Sequence, residues 1–363
     1  MKYLITLALF FTIALYQTCC QKEYITKKNI SKAKLLKVSF DDLDRFKEDN
    51  LTKAFEVFKK DCKRSKRYKN LKFVCKKAFQ YKDAKLFFTQ NFTPYQLINK
   101  NNSDIGLITG YYEPYLNGSL IKTNKYKYPI YGVPNDLLTI DLSSVYPNLK
   151  KYRLRGKLKG TKVIPYDTRE QIEKRDDLKA ICYVDDKIDL FFLQIQGSGR
   201  VKLQDGTILN IAYANQNGQK YYPIGRKLIQ MGVIDKKNIS LQTIREYLQN
   251  HLDQVDKILN LNKSYVFFRQ SSKRATGSLG VELVAFRNLA VDRSYIPLGY
   301  PVFIDTTNPL DHSKIQKLTV SADTGGAIKG EIRADFFFGS GKLAEKLAGN
   351  MKQKGKLYIL LPN

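Results

Sequence analysis

The stretch "SADTGGAIKGEIRADFFFGSG", residues 321–341, places Asp323 and Asp335 twelve positions apart around a glycine-rich turn. The run "KLTVSAD" before it has strand texture, Gly325 and Gly326 permit a tight turn, and Gly330 frees a further loop. Such a turn brings the two carboxylates into one region. Phe336, Phe337 and Phe338 follow Asp335 directly, and a carboxylate desolvated by aromatic rings is pushed towards the pKa of a proton donor. The bland alternative is that both aspartates cap turns through backbone N–H groups. The triplet DTG also marks aspartic proteases, but that chemistry needs two facing aspartates from duplicated lobes or a dimer of short subunits. Only one DTG occurs in these 363 residues, so the protease is a remote alternative.

Working outward, 43% of the chain is hydrophobic, ample for a packed core and suggestive of two domains. The formal charge of +28, from 62 Lys+Arg against 34 Asp+Glu, suits an anionic polymer as well as a lysine-rich soluble surface. The basic residues are scattered and no nucleic-acid motif accompanies them, so no nucleic-acid partner is expected. With only His251 and His312, a histidine-rich metal site or a Ser-His-Asp triad is improbable, and neither metal nor cofactor is expected. Residues 1–20 carry Lys2 and an apolar run too short to span a bilayer, which reads as an export signal. Cys19 and Cys20 stand where a lipoprotein would be cleaved and lipidated, which leaves an anchor open. Cys62 and Cys75 could pair after export or serve as small buried hydrophobes.

Residues 39–62 read as one helix capped by Ser39 or Asp41, and 73–87 as a second. From Gly106 to about 214, glycines and prolines punctuate short apolar runs, so strands and turns are expected. Residues 189–209 read as a hairpin turning at Asp205-Gly206, with Gln194 and Gln196 on one strand face. Helical texture returns at 222–260, with Ser240 as a cap, and the last hundred residues read as strands.

"GYYEPY" sets Glu113 among Tyr111, Tyr112 and Tyr115. In "QIQGSGR", Gln196, Gly197, Ser198 and Gly199 offer amides, a hydroxyl and close backbone approach, which suit a polyhydroxylated, N-acetylated sugar. "YANQNGQKYYPIG" adds further amides and tyrosines.

In series, "TGYYEPY", "FFLQIQGSGRV…DG", "YANQNGQKYYPIGRKLI", "SYVFFRQ", "AVDRSYIPLG" and "DTGGAIKGEIRADFFFG" resemble the membrane-bound lytic murein transglycosylase A family, from about residue 40 to the end. The resemblance implies a mainly β, α+β protein. Its large domain, residues 21–110 and 215–363, would be a double-psi β-barrel with N-terminal helices, including a three-aspartate ("3D") segment at about 264–363. A smaller β-barrel, 111–214, would be inserted, with the substrate groove between the two. The three aspartates match Asp292, Asp323 and Asp335. By motif position Asp335 is the single catalytic acid, although Glu-Ile-Arg-Ala before it makes this segment one residue longer than the family pattern. Asp323, Asp292, Tyr111, Tyr112, Gln196, Gly197, Ser198, Gly199, Gly325, Gly326 and Lys329 are the expected substrate-binding residues. The implied partner is peptidoglycan, cleaved without hydrolysis to 1,6-anhydromuramic ends by a monomeric, exported enzyme of the periplasm. A non-catalytic peptidoglycan-binding protein is the alternative.

Overall fold

The computed structural model describes residues 24–25, 32–65 and 69–363, so the expected signal and Cys19 and Cys20 lie outside the described residues. The architecture is mainly β with helices. Six strands pair in a closed circuit: Lys352–Pro362 with Pro301–Thr307, then Lys314–Asp323, Asn288–Val291, Arg333–Ser340 and Gly106–Glu113, which pairs back to Lys352–Pro362. Two of these pairings are parallel, Asn288–Val291 with Lys314–Asp323 and Arg333–Ser340 with Gly106–Glu113. At the crowded end of the circuit a side chain on Gly106 would put its Cβ 1.8 Å from the Ile332 carbonyl oxygen, so only glycine fits. Lys352–Pro362 also pairs with Phe92–Ile98, which carries Lys34–Lys37 on its other edge.

Both faces of these strands are packed: Leu289, Val302, Val320, Phe336 and Ile359 are fully or almost fully buried in one apolar core. Helices Leu51–Ser65, Lys69–Ala78 and Ala84–Asn91 extend the same core through Phe55, Phe58, Phe87, Phe88 and Phe92, whose ring centroids lie 4.5–6.1 Å apart. Cys62 and Cys75 form a disulfide between the first two helices, and Cys182 is free and buried.

The expected single helix over 39–62 is instead two short 3-10 turns and the helix Leu51–Ser65. Ser39 does cap, but its partner in the capping box is Asp42, which closes a tight turn rather than starting a long helix. The segment 73–87 is likewise split, because Asp83 accepts the Leu86 N–H and starts a new helix.

A second sheet runs in the order Val266–Ser271, Ile208–Gln216, Ser198–Leu203, Tyr115–Ser119, Ala180–Val184 and Tyr128–Tyr131. Its edge strand Val266–Ser271 comes from beyond residue 214. The hairpin at Asp205-Gly206 is present, but its expected first arm is the helix Lys187–Gln196. A continuous apolar run does not distinguish strand from buried helix. Here Asp186 decides, because its side chain accepts the N–H groups of Ile188 and Asp189. Ile224–Gln230, Leu241–Asn250 and Val255–Leu259 pack on that helix through Leu228, Leu248 and Ile258, and Ser240 caps the second of them as expected. The helix Lys342–Asn350, in a segment read as strand, covers Gly106–Glu113 and Arg333–Ser340. No helix among the described residues is long and apolar enough to cross a membrane.

A buried bidentate pair ties the N-terminal helices to the circuit. Arg287 Nη1 and Nη2 lie 2.7 and 2.8 Å from Asp49 Oδ2 and Oδ1, the Leu318 N–H donates to Asp49, and Arg287 Nη1 donates to the Leu318 carbonyl. Arg287→Ala strands the buried Asp49 carboxylate and should lower unfolding stability by about 3–5 kcal/mol, read from denaturant midpoints. A change below about 1 kcal/mol would show that the pair does not hold the helices.

Candidate active site

Asn288–Val291 lies between the strands that carry the two aspartates. Ala290 is opposite Asp323 on the parallel side and Asp335 on the antiparallel side. At ordinary strand spacing their Cα atoms are therefore roughly 10 Å apart, on the same level. The intervening loop is built as the glycines suggested. Ile328 N–H donates to the Gly325 carbonyl, Gly330 adopts φ +125°, and a Cβ on Gly325 would come within 2.8 Å of Ile328 Cδ1. Gly326 is open and Lys329 is exposed on the same loop. Asp292, expected to bind substrate, spends its oxygens on backbone: Oδ1 accepts Ser294 N–H and Oδ2 accepts Gly330 N–H. Its position fixes the loop rather than contributing a free carboxylate.

The two aspartates differ in their surroundings. Asp323 Oδ1 accepts three hydrogen bonds at 2.8 Å, from Ser278 N–H, Ser278 Oγ and Thr324 N–H. Asp335 has one, from Arg333 Nη1 at 3.0 Å, and about a fifth of its side chain stays open to solvent. Burial raises the pKa of both carboxyls. The hydrogen bonds from Ser278 and Thr324 oppose it at Asp323, and the Arg333 cation opposes it at Asp335. Three donors on one oxygen favour the anion at Asp323, whereas the charge of Asp335 disfavours it.

Of the three phenylalanines after Asp335, only Phe337 shares its face of the strand, two residues on. Phe337 packs against Tyr111 at 5.0 Å, whereas Phe336 and Phe338 turn inward to Phe286. The Tyr111 hydroxyl is buried on the side of Asp323. Burial, followed by the charges of Asp323 and Asp335, raises its pKa well above the usual value, so it remains a neutral donor. The next residue, Tyr112, faces the other way. Burial first, then Glu345 and Asp189, raise its phenol against the pull of Arg245, so its side chain stands among helices rather than beside the acids.

The second sheet meets this region at the end of Gly106–Glu113. Gly197 at φ +81° ends the helix Lys187–Gln196, and Gln196 Oε1 accepts the Tyr112 N–H at 3.1 Å. Gln196 thus acts from a helix C-terminus, not a strand face. Ser198 and Gly199 start the next strand, and a Cβ on Gly199 would reach 2.4 Å from Leu193 Cδ1, so this glycine serves packing. Arg200 N–H donates to the Pro114 carbonyl, and Arg200 Nε lies 3.0 Å from Glu113 Oε2, whose Oε1 accepts the Ala275 N–H. Glu113 is thereby consumed in a buried link between the two sheets.

Asp323, Asp335 and Tyr111 therefore converge, Gln196 to Gly199 join the sheets beside them, and Tyr112 and Asp292 point elsewhere. Sequence reasoning missed Ser278, Arg333, Arg200 and the individual role of Tyr221. Arg333 had a signal, since residues two apart on a strand share a face. Burial raises the pKa of the Tyr221 phenol, Arg169 lowers it, and the charge of Asp335 adds to the rise. Ser278, forty-five residues from its partner Asp323, had none.

The MltA-specific insert domain matches residues 107–269, and the 3D domain matches 287–361. A membrane-bound lytic murein transglycosylase A homolog of Buchnera aphidicola is 34% identical over 261 residues, 70% of this chain and 65% of that protein. The match thus falls just short of two thirds of that curated relative's length. The crystal structure of MltA from Neisseria gonorrhoeae superposes with a TM-score of 0.82 at 32% identity, covering 94% of this chain and 95% of that one. Escherichia coli MltA with bound chitohexaose superposes at 0.66 with 25% identity, covering 86% and 90%. Both aspartate-bearing strands fall within the 3D domain match, and the chain belongs to the MltA family.

Proposed function

We propose that this chain is a lytic transglycosylase that cleaves the β-1,4 bond between N-acetylmuramic acid and N-acetylglucosamine in peptidoglycan, leaving 1,6-anhydromuramic ends. The observation that carries the proposal is the unequal pair of aspartates. Asp323 Oδ1 is occupied by three donors, and Asp335 is desolvated, partly accessible and held by one arginine. A glycosidase ordinarily needs two carboxylates, as acid and as base or nucleophile. A single acid suffices when the nucleophile is the muramic acid's own 6-hydroxyl, because the attack is intramolecular. Protonated Asp335 gives its proton to the leaving O4 as the C1–O4 bond breaks. O6 then bonds to C1, its proton passes to the Asp335 carboxylate, and the acid is restored. Asp323 and Tyr111 would set the polarity around the acid, and Gln196 to Gly199 would line the groove between the sheets. The bound chitohexaose of the Escherichia coli relative supports a glycan ligand.

In this reading the six-strand circuit is the double-psi β-barrel of a large domain made from 21–110 and 215–363. The strands within 111–214 form most of the smaller one, and the groove runs between them. The substrate lies outside the cytoplasm, so the chain would work as an exported monomer in the periplasm, with an outer-membrane anchor if Cys19 or Cys20 is lipidated.

Asp335→Asn should lower release of anhydro-muropeptides from purified sacculi by at least about a hundredfold, with glycan binding nearly unchanged. Activity in that variant together with loss in Asp323→Asn would assign the acid to the other strand, and reducing-end products would mean hydrolysis.

The pH dependence has a defined sign. A general acid works while protonated, so activity should fall as pH rises through the raised pKa of Asp335. Arg333→Gln removes the cation that opposes the rise, so the alkaline limb of the kcat/KM profile should move to higher pH. An unmoved limb would show that Arg333 does not act on the acid.

Stability follows the same linkage. A carboxyl with a raised folded pKa contributes stability that is full below its unfolded value, about 3.9, and is lost as pH rises through the folded value. Asp335→Asn should therefore raise the melting temperature more at pH 8 than at pH 4. An equal change at both pH values would mean that the carboxyl is not desolvated.

A further inference from the structure

Arg155, Lys220 and Lys263 line a cavity of about 380 Å3 together with Pro165, Asn217, Gly218 and Gln219. No carboxylate lines it. The guanidinium of Arg155 donates to neutral acceptors, Asn215 Oδ1 and the Leu154 carbonyl, each at 2.8 Å. The nearby acid Asp167 is already matched by Lys157 and Arg175 at 2.5 and 3.3 Å. Among the described residues, no carboxylate pairs with Arg155, Lys220 or Lys263.

The cavity wall is held before any ligand arrives. Asn217 is fully buried. Its Nδ2 donates to the Asp167 and Lys263 carbonyls, and its Oδ1 accepts the N–H groups of Tyr265 and Gln219. Gly218, at φ +80°, donates its N–H to Gln216 Oε1, and Gln219 Nε2 donates to the Tyr166 carbonyl. A loop fixed in this way keeps three cations near one another despite their repulsion, which is useful only if an anion sits between them. Asn215, which Arg155 holds, lies two residues along its strand from Tyr213, whose N–H donates to the Gly197 carbonyl at 2.8 Å. The cavity therefore lies along the same strand as the Gln196–Gly199 segment.

We infer that this cavity is a carboxylate-binding subsite for the peptide stems that branch from the muramic acid of the bound glycan. The inference rests on the proposed peptidoglycan reading and deepens it. Backbone sugars are neutral, and the free carboxylates of the substrate lie on its peptides, one lactyl group away from the glycan. Lysines and an arginine around a preformed cavity recognise that charge, and amides such as Gln219 meet peptide groups. The subsite makes the enzyme prefer peptide-bearing strands over bare glycan.

The test compares intact glycan strands with the same strands stripped of peptides by an amidase, the lactyl carboxylates that this exposes then being capped as methylamides. Wild-type protein should act on the intact strands with higher kcat/KM. Lys220→Glu combined with Lys263→Glu should lose about tenfold on intact strands and stay within twofold on stripped ones. Equal losses on both polymers, or no loss on either, overturn the subsite. Binding of both polymers to an Asp335→Asn background, by co-sedimentation, reads the cavity without turnover. If the double variant weakens binding only to intact strands while wild type cuts neither polymer, the catalytic reading fails and the subsite stands. If binding to the two polymers is indistinguishable in that background, the subsite fails whatever the activity.

Discussion

The C-terminal strand Lys352–Pro362 closes the fold. Its first residues pair with Gly106–Glu113, its middle with Pro301–Thr307 and its end with Phe92–Ile98. An open sheet would leave Gly106–Glu113 as an edge, with unpaired backbone groups and freedom to shift register. Closure removes that edge and clamps Gly106–Glu113 on both sides, against Arg333–Ser340 and Lys352–Pro362. Because side chains alternate along a strand, a slip of one residue would exchange Tyr111 for Tyr112 beside the acids. The geometry of the candidate site thus depends on long-range pairing between residue 106 and residue 355, not on the local turn that first drew attention.

The same dependence explains how much could be read in the sequence. The glycine turn, the strands either side of Asp205-Gly206, the Ser240 cap and the convergence of Asp323 with Asp335 are local consequences of residue type, and all were legible. The helix Lys187–Gln196 was not, because its apolar run carries no clear period and the deciding group, Asp186, lies just outside it. Residues 39–62 misled for a related reason. Ser39 caps a 3-10 turn, and Arg45 at φ 58° breaks the path before the real helix starts at Leu51. The site's partners at long range, Ser278 on Asp323 and Arg200 on Glu113, belong to no motif at all. Resemblance pointed to Asp335, and only the folded arrangement shows which tyrosine faces it.

Two acids close together in a protein interior are a conflict, and the structure resolves it by unequal solvation. At Asp323 three donors oppose the rise that burial and the charge of Asp335 cause, whereas at Asp335 burial alone raises the pKa. Arg333 pulls the other way, but the same guanidinium group also donates to its neighbour's carbonyl at 2.7 Å, which divides its effect. Such an arrangement lowers the stability of the folded chain at neutral pH, and the surrounding pairing must absorb that cost. Buried links such as Arg287 with Asp49 and the apolar lining of the circuit do so far from the chemistry.

The overall charge of +28 makes the raised pKa of Asp335 more informative. A strongly positive protein lowers carboxylate pKa values wherever its field reaches, so global charge would work against a proton donor. Solvent ions weaken that field over about 8 Å at physiological ionic strength, whereas the loss of hydration inside a packed strand face is not screened. Local burial can therefore outweigh sixty-two basic side chains. The two effects separate by range: the dispersed cations set the long-range field, and the residues packed around Ala290 set the local burial of the two carboxyls.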